Sequence, residues 1–188
     1  MSRLIVTGGR LDHRAAVATA VWAFDILRYT APALSLVVAG DGPERERLMR
    51  FARAAGGGEV IPVAFDTVPP EQFNVAAQVW VPHHRGGTRL ALAAMAAGRP
   101  VVAADTPELR ELVGDAGRFF PPGDRARLAA VGYDLLTHPA DAAALGEAGR
   151  RRAVAHFPAY RLADALAAVY YEAALSPPAR WSSCGRRS

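Results

Sequence analysis

Short aliphatic runs, each closed by glycine, proline or aspartate, alternate with stretches of helical period along most of the chain. The runs "RLIVTGG" (3–9), "ALSLVVAG" (33–40), "EVIPVAF" (59–65), "VWVPH" (79–83) and "PVVAAD" (100–105) read as buried strands, and "GRFFPPGD" (117–124) as a last short strand and turn. Between them, 14–29 carries Val17, Val21, Phe24 and Leu27 at helical spacing. Further helices are expected at 43–55, with Pro43 in its first turn, and at 70–77, 88–97 and 107–113. Helical patterns at 124–137, 140–155 and 159–175 close the domain. Strands apolar on both faces must be covered on both faces. The order therefore predicts an α/β, Rossmann-like fold: a mostly parallel sheet of about six strands with helices on both sides. Pro62 removes a ladder donor and puts the third strand at an edge or an irregular position. Residues 1–175 are expected to form this domain, and 176–188, which lack periodicity, a disordered tail.

In sheets of this kind ligands bind beyond the carboxyl ends of the strands. That rule singles out Gly8–Arg10, Gly40–Pro43, Pro82–Thr88 and Ala104–Pro107. In "TGGRLDHR" (7–14), Gly8 and Gly9 would let backbone N–H groups approach a phosphate, with Arg10 to pair with it. The same glycines also suit an ordinary tight turn. Gly40 and Gly42 in "GDGP" have the same two readings, a turn or close approach of a ligand. The third segment is richer: in "HHRGGTRLALAAM" (83–95), Gly86 and Gly87 precede Thr88, an apparent N-cap, and Arg85 and Arg89 add charge to a helix start. Glu108 and Glu111 lie one turn apart in the following helix; they read as ordinary helix-start acids, and besides Asp105 they are the only carboxylates near the crevice at the fifth strand.

Composition removes several classes of function. All 22 basic residues are arginine, against 18 acids, and many sit beside Asp or Glu on helix faces. No basic helix interleaves aromatics as a nucleic-acid reader would. His83 and His84 are adjacent, so in a strand they point to opposite faces, and no metal site is expected. The one cysteine, Cys184, lies in the tail and supports neither a disulfide framework nor a metal cage. "MSRLIVTGG" reads as a strand rather than a leader, and no run approaches membrane-spanning length. A reducing, cytoplasmic setting is expected.

Taken together, "GGRLD", "VVAGDGPERERL", "AMAAGRPVVAAD", "PELRELVGDAGRFFPPGD" and "LGEAGRRRA" resemble the carboxyl-terminal, donor-binding domain of GT-B glycosyltransferases. The similarity is to the retaining group called glycosyl transferases group 1, or family four, and it covers about residues 3–175. The resemblance implies half of a GT-B fold: a domain that binds a nucleotide-diphosphate sugar while another domain binds the acceptor. It implies no separate cofactor. Arg10 matches the family's diphosphate-binding arginine. The lysine that usually follows is missing; Ala15 stands at about its place, with Arg14 beside it. Gly40, Gly42 and Pro43 match the turn after the second strand, Gly86 the phosphate-side loop, and Met95, Gly98 and Pro100 the helix and turn beyond.

The family's hallmark is a pair of glutamates, spaced as Arg85 and Ala93 are here. The first lies near the transferred sugar and the second accepts the ribose hydroxyls. No Asp or Glu occurs from Gln72 to Ala104, so no shift of register restores either. The resemblance therefore implies nucleotide-sugar contacts from Gly9, Arg10, Arg14, Gly42, Arg85, Gly86, Gly87 and Thr88, and no catalytic residue. It further suggests a chain inactive alone, lacking its acceptor half. The alternatives are a donor subunit of a split enzyme and a non-enzymatic binding module. Phe157, Tyr160, Leu166, Tyr170 and Tyr171 are expected to leave an apolar surface for a separate acceptor-domain protein or a homodimer.

Overall fold

The computed structural model describes residues 4–12, 16–31, 33–54, 60–63 and 70–158. The strands are β1 (Leu4–Arg10), β2 (Ser35–Asp41), β3 (Val60–Val63), β4 (Gln78–Val81), β5 (Val101–Ala104) and β6 (Gly117–Phe120). The helices are α1 (Val17–Arg28), α2 (Arg45–Ala54), α3 (Pro70–Val75), α4 (Thr88–Ala96), α5 (Pro107–Val113), α6 (Arg125–Thr137) and α7 (Pro139–His156). The six strands form one sheet in the order β3-β2-β1-β4-β5-β6, and every pairing is parallel. The chain fills the sheet from β1 outward to β3, then crosses to β4 and fills the other side. Helices α1, α2 and α6 form one packed group, and α3, α4 and α5 another. Right-handed crossovers that reverse direction at β1 put these groups on opposite faces.

The strand cores are sealed as the aliphatic runs require: Ile5, Val6, Leu36, Val38, Val79, Val81 and Val101–Ala104 are wholly buried. Trp80 is buried at the centre, its indole against α6 where residue 132 is glycine; a Cβ there would stand 2.7 Å from the ring. Its Nε1 donates to Gln78 Oε1 at 2.9 Å, and Gln78 Nε2 donates to the Gly132 carbonyl at 3.0 Å. The buried polar atoms thus satisfy one another. Pro62 lies on β3, an edge strand, as its missing donor demands.

Gly8 and Gly9 belong to β1, as the strand expected at 3–9 has them, and pair with Ala39 and Gly40 of β2 instead of forming a separate turn. A Cβ on Gly8 would collide with the Ala39 carbonyl, so that glycine serves strand packing. Helix α1 begins at Val17, after Ala16 in the left-handed conformation (φ 49°, ψ 22°), not at residue 14. Arg14, the helix expected at 159–175, the tail at 176–188 and the aromatics from Tyr160 to Tyr171 lie outside the described residues. The described fold lies almost wholly in one unit, Met1–Ala155; His156–Ser188 is a second.

Candidate functional site

The strand order reverses between β1 and β4, so the crevice sits beyond their carboxyl ends. From β4 the chain passes through Pro82–Gly87 into α4. Gly86 and Gly87 both take left-handed backbone, φ 77° and 81°. That conformation makes Gly87, not Thr88, the N-cap of α4, and no side chain caps it. Thr88 is the first helical residue and is exposed. The physical reason is the glycine pair: free of Cβ strain, it carries the chain straight into the helix and leaves a serine- or threonine-type cap no place. By contrast, Thr106 Oγ1 accepts from Leu109 N–H on α5, and Asp124 Oδ1 accepts from Arg127 N–H on α6. Helix α4 also has no acid in its first turn. A helix start with no capping side chain and no acid in its first turn is the arrangement that attracts an anion.

Arg10 ends β1 with its side chain 81% exposed, and its Nε lies 3.4 Å from Asp12 Oδ2. Arg85 is exposed on the facing loop. Gly42 is fixed by its neighbours: a Cβ there would strike the Leu11 carbonyl, which also accepts from Glu44 N–H at 3.0 Å. Its glycine holds the β2 turn against the chain that follows β1.

Between the two loops stands His83, a residue that sequence reading had weighed only as a metal ligand. It is 4% exposed, while His84 is exposed, as adjacent residues leaving a strand should be. A Cβ on Gly9 would lie 2.7 Å from His83 Nε2, and one on Gly87 would lie 2.9 Å from Nδ1. The imidazole therefore occupies the space left by two glycines, one near the end of β1 and one on the loop that enters α4. Burial pushes its pKa down to about 4, with Asp12 opposing and His84 assisting, so the ring is neutral near pH 7. Nδ1 is buried and has no hydrogen-bond partner.

A carboxylate also reaches this loop. Glu108, in the first turn of α5, accepts from Gly86 N–H through Oε2 at 3.1 Å. Its place just past the end of β5 puts it near the crevice, but it comes from the next helix, so no spacing within the acid-free run from Gln72 to Ala104 shows its contact with Gly86. Asp105 is otherwise engaged. Arg110 donates to both its oxygens, at 2.5 and 2.7 Å, which holds the carboxyl below its usual range, and the guanidinium lies over Phe119. Among the described residues no cluster of His, Cys, Asp and Glu has metal-site geometry, and no helix is long and apolar enough to cross a membrane.

The sequence profile of the family described as Glycosyl transferases group 1 matches residues 2–138. The chain belongs to that family. It is 31% identical over 176 residues to a glycogen synthase of Mycobacterium tuberculosis, covering 88% of this chain and 41% of that one. Over 93 residues it is 40% identical to the MMP alpha-(1->4)-mannosyltransferase of Mycolicibacterium hassiacum, covering 48% of this chain and 23% of that one. Among solved structures, sucrose-phosphate synthase from Thermosynechococcus elongatus matches with TM-score 0.78 and 26% identity, over 92% of this chain and 45% of that one. Anabaena HepE, solved with UDP-glucose, matches in fold with TM-score 0.79 and 19% identity, over 91% and 49%. The chain thus spans less than half the length of each of these relatives, and it corresponds to the carboxyl-terminal GT-B domain of the group 1 glycosyltransferases.

Proposed function

We propose that this domain binds the diphosphate of a nucleotide sugar at the switch point between β1 and β4. The carrying observation is the uncapped amino terminus of α4, with Gly86, Gly87 and Thr88, set across His83 from the end of β1. Arg10 closes the site from β1 and Arg85 from the loop, each with an exposed guanidinium suited to phosphate oxygens. Gly9 contributes by admitting His83, and Gly42 by fixing the neighbouring turn. Arg14 joins the set as the neighbour of Ala15, which stands at about the place of the family's missing lysine. HepE, of like fold, is solved with UDP-glucose, which supports a nucleoside diphosphate as the common element.

The site is degenerate for transfer within family four. Arg85 and Ala93 stand where the glutamates that read the donor's sugar and ribose belong. Losing a carboxylate that accepts a ribose hydroxyl costs roughly 1–3 kcal/mol of binding. These 188 residues by themselves are therefore inactive in sugar transfer, and activity requires an acceptor-binding domain, from the same or another polypeptide or a second copy. A cytoplasmic site of action fits the supply of nucleotide sugars.

Calorimetry with uridine, guanosine and adenosine diphosphates and their glucose esters tests this reading. One of them should bind, and Arg10→Ala should weaken it roughly tenfold, the worth of a charge-assisted contact. Absence of heat with every ligand refutes nucleotide binding. Turnover of the sugar ester by the 188-residue chain refutes its inactivity.

A further inference from the structure

We propose that His83 is a positioning residue of the diphosphate site, its Nδ1–H donating to a phosphate oxygen once a nucleoside diphosphate seats at the amino terminus of α4. The inference rests on the nucleotide-binding reading above and adds a contact that no part of that reading assigns. Three observations carry it. His83 is 4% exposed, yet Nδ1 has no partner, and a buried polar atom left unpaired costs more than it returns. The ring is bracketed by Gly9 of β1 and Gly87 at the α4 cap, the strand end and the helix start that would flank the phosphates. Residue 87 is glycine, and a Cβ there would stand 2.9 Å from Nδ1 and 2.6 Å from Val81 Cγ1, so a side chain at 87 would close over the nitrogen. At Gly86 a Cβ would meet nothing within 4 Å, so the space beside the loop is open to a ligand.

The chemistry is consistent with a donor role. A neutral imidazole has one N–H to give and one nitrogen left to accept. Burial favours that neutral form here. An aspartate or glutamate in the same place would repel the ligand, and an aliphatic residue would leave no donor beneath the loop.

Two measurements on the full 188-residue chain decide the matter. Long-range proton–nitrogen NMR spectra should show the His83 ring nitrogens shifting as UDP, or whichever of GDP and ADP binds, is added, with the midpoint that calorimetry gives. His83→Leu, which keeps an apolar side chain of similar volume, should bind the same diphosphate about tenfold more weakly. Diphosphate binding with unmoved ring signals, or a folded His83→Leu that binds as tightly as the parent, overturns the role of His83 and leaves the nucleotide site standing. Failure of the parent chain to bind any of the three diphosphates overturns both.

Discussion

Acidification should destabilise this protein through one buried ring. His83 titrates at about 4 in the folded chain, where burial disfavours its charge, against about 6.5 when unfolded. The unfolded chain therefore takes up the proton first as pH falls. The sign follows: the His83 contribution is intact above about pH 6.5, declines through the window from 6.5 to 4, and is gone below it. Between pH 6.5 and 5 the interval is about 1.5 pH units, and each is worth about 1.4 kcal/mol, giving a loss of about 2 kcal/mol. Urea unfolding at pH 7 and pH 5 measures it. The midpoint of the parent should fall by about 1 M more than that of His83→Leu, taking a slope near 2 kcal/mol per molar. The other histidines are common to both chains and cancel. Equal falls in the two proteins would refute the claim that His83 is buried neutral between Gly9 and Gly87.

The remaining expectations follow from single contacts. Gly132→Ala should lower stability by about 1–3 kcal/mol, read by thermal unfolding, because its Cβ would press into the buried Trp80 ring. Thr106→Ala should cost about 1 kcal/mol through loss of the α5 cap, whereas Thr88→Ala should cost less than about half of that, since Gly87 is the cap of α4. Glu108→Gln should tighten nucleoside diphosphate binding roughly two- to fivefold in calorimetry, by removing an exposed negative charge from the Gly86 N–H.

The fold was legible because each strand is a short apolar run closed by a turn residue, and such runs have few other uses. The parallel sheet, its strand positions and the edge place of β3 could be read from Leu36–Ala39, Val79–Val81 and Pro62. The strand-end rule marks four segments, and the structure brings Gly9 and Gly87 from two of them together around His83. The details escaped for identifiable reasons. Glycines at 8 and 9 look alike whether they serve a loop or a strand, and only the nearness of the Ala39 carbonyl and of His83 separates the cases. Thr88 has the chemistry of a cap, but two left-handed glycines ahead of it moved the cap by one residue. Glu108 and His83 act across tertiary contacts, from α5 to Gly86 and from β4 to β1, which no local spacing encodes.

Helix α5 is held at both ends. At its start Glu108 grips the Gly86 amide; at its finish the Arg152 guanidinium of α7 donates to the carbonyls of Glu111 and Leu112 at 2.7 and 2.8 Å. A seven-residue helix is about 10 Å long and, over two turns, has little room to bend. It works as a short strut between α7 and the loop that opens α4. A ligand that takes the Gly86 N–H from Glu108 would remove the tie at the loop end of α5 and leave the Arg152 tie at the other end in place. Mechanical play at the loop and at α7 is shared, although the two lie at opposite ends of the same short helix.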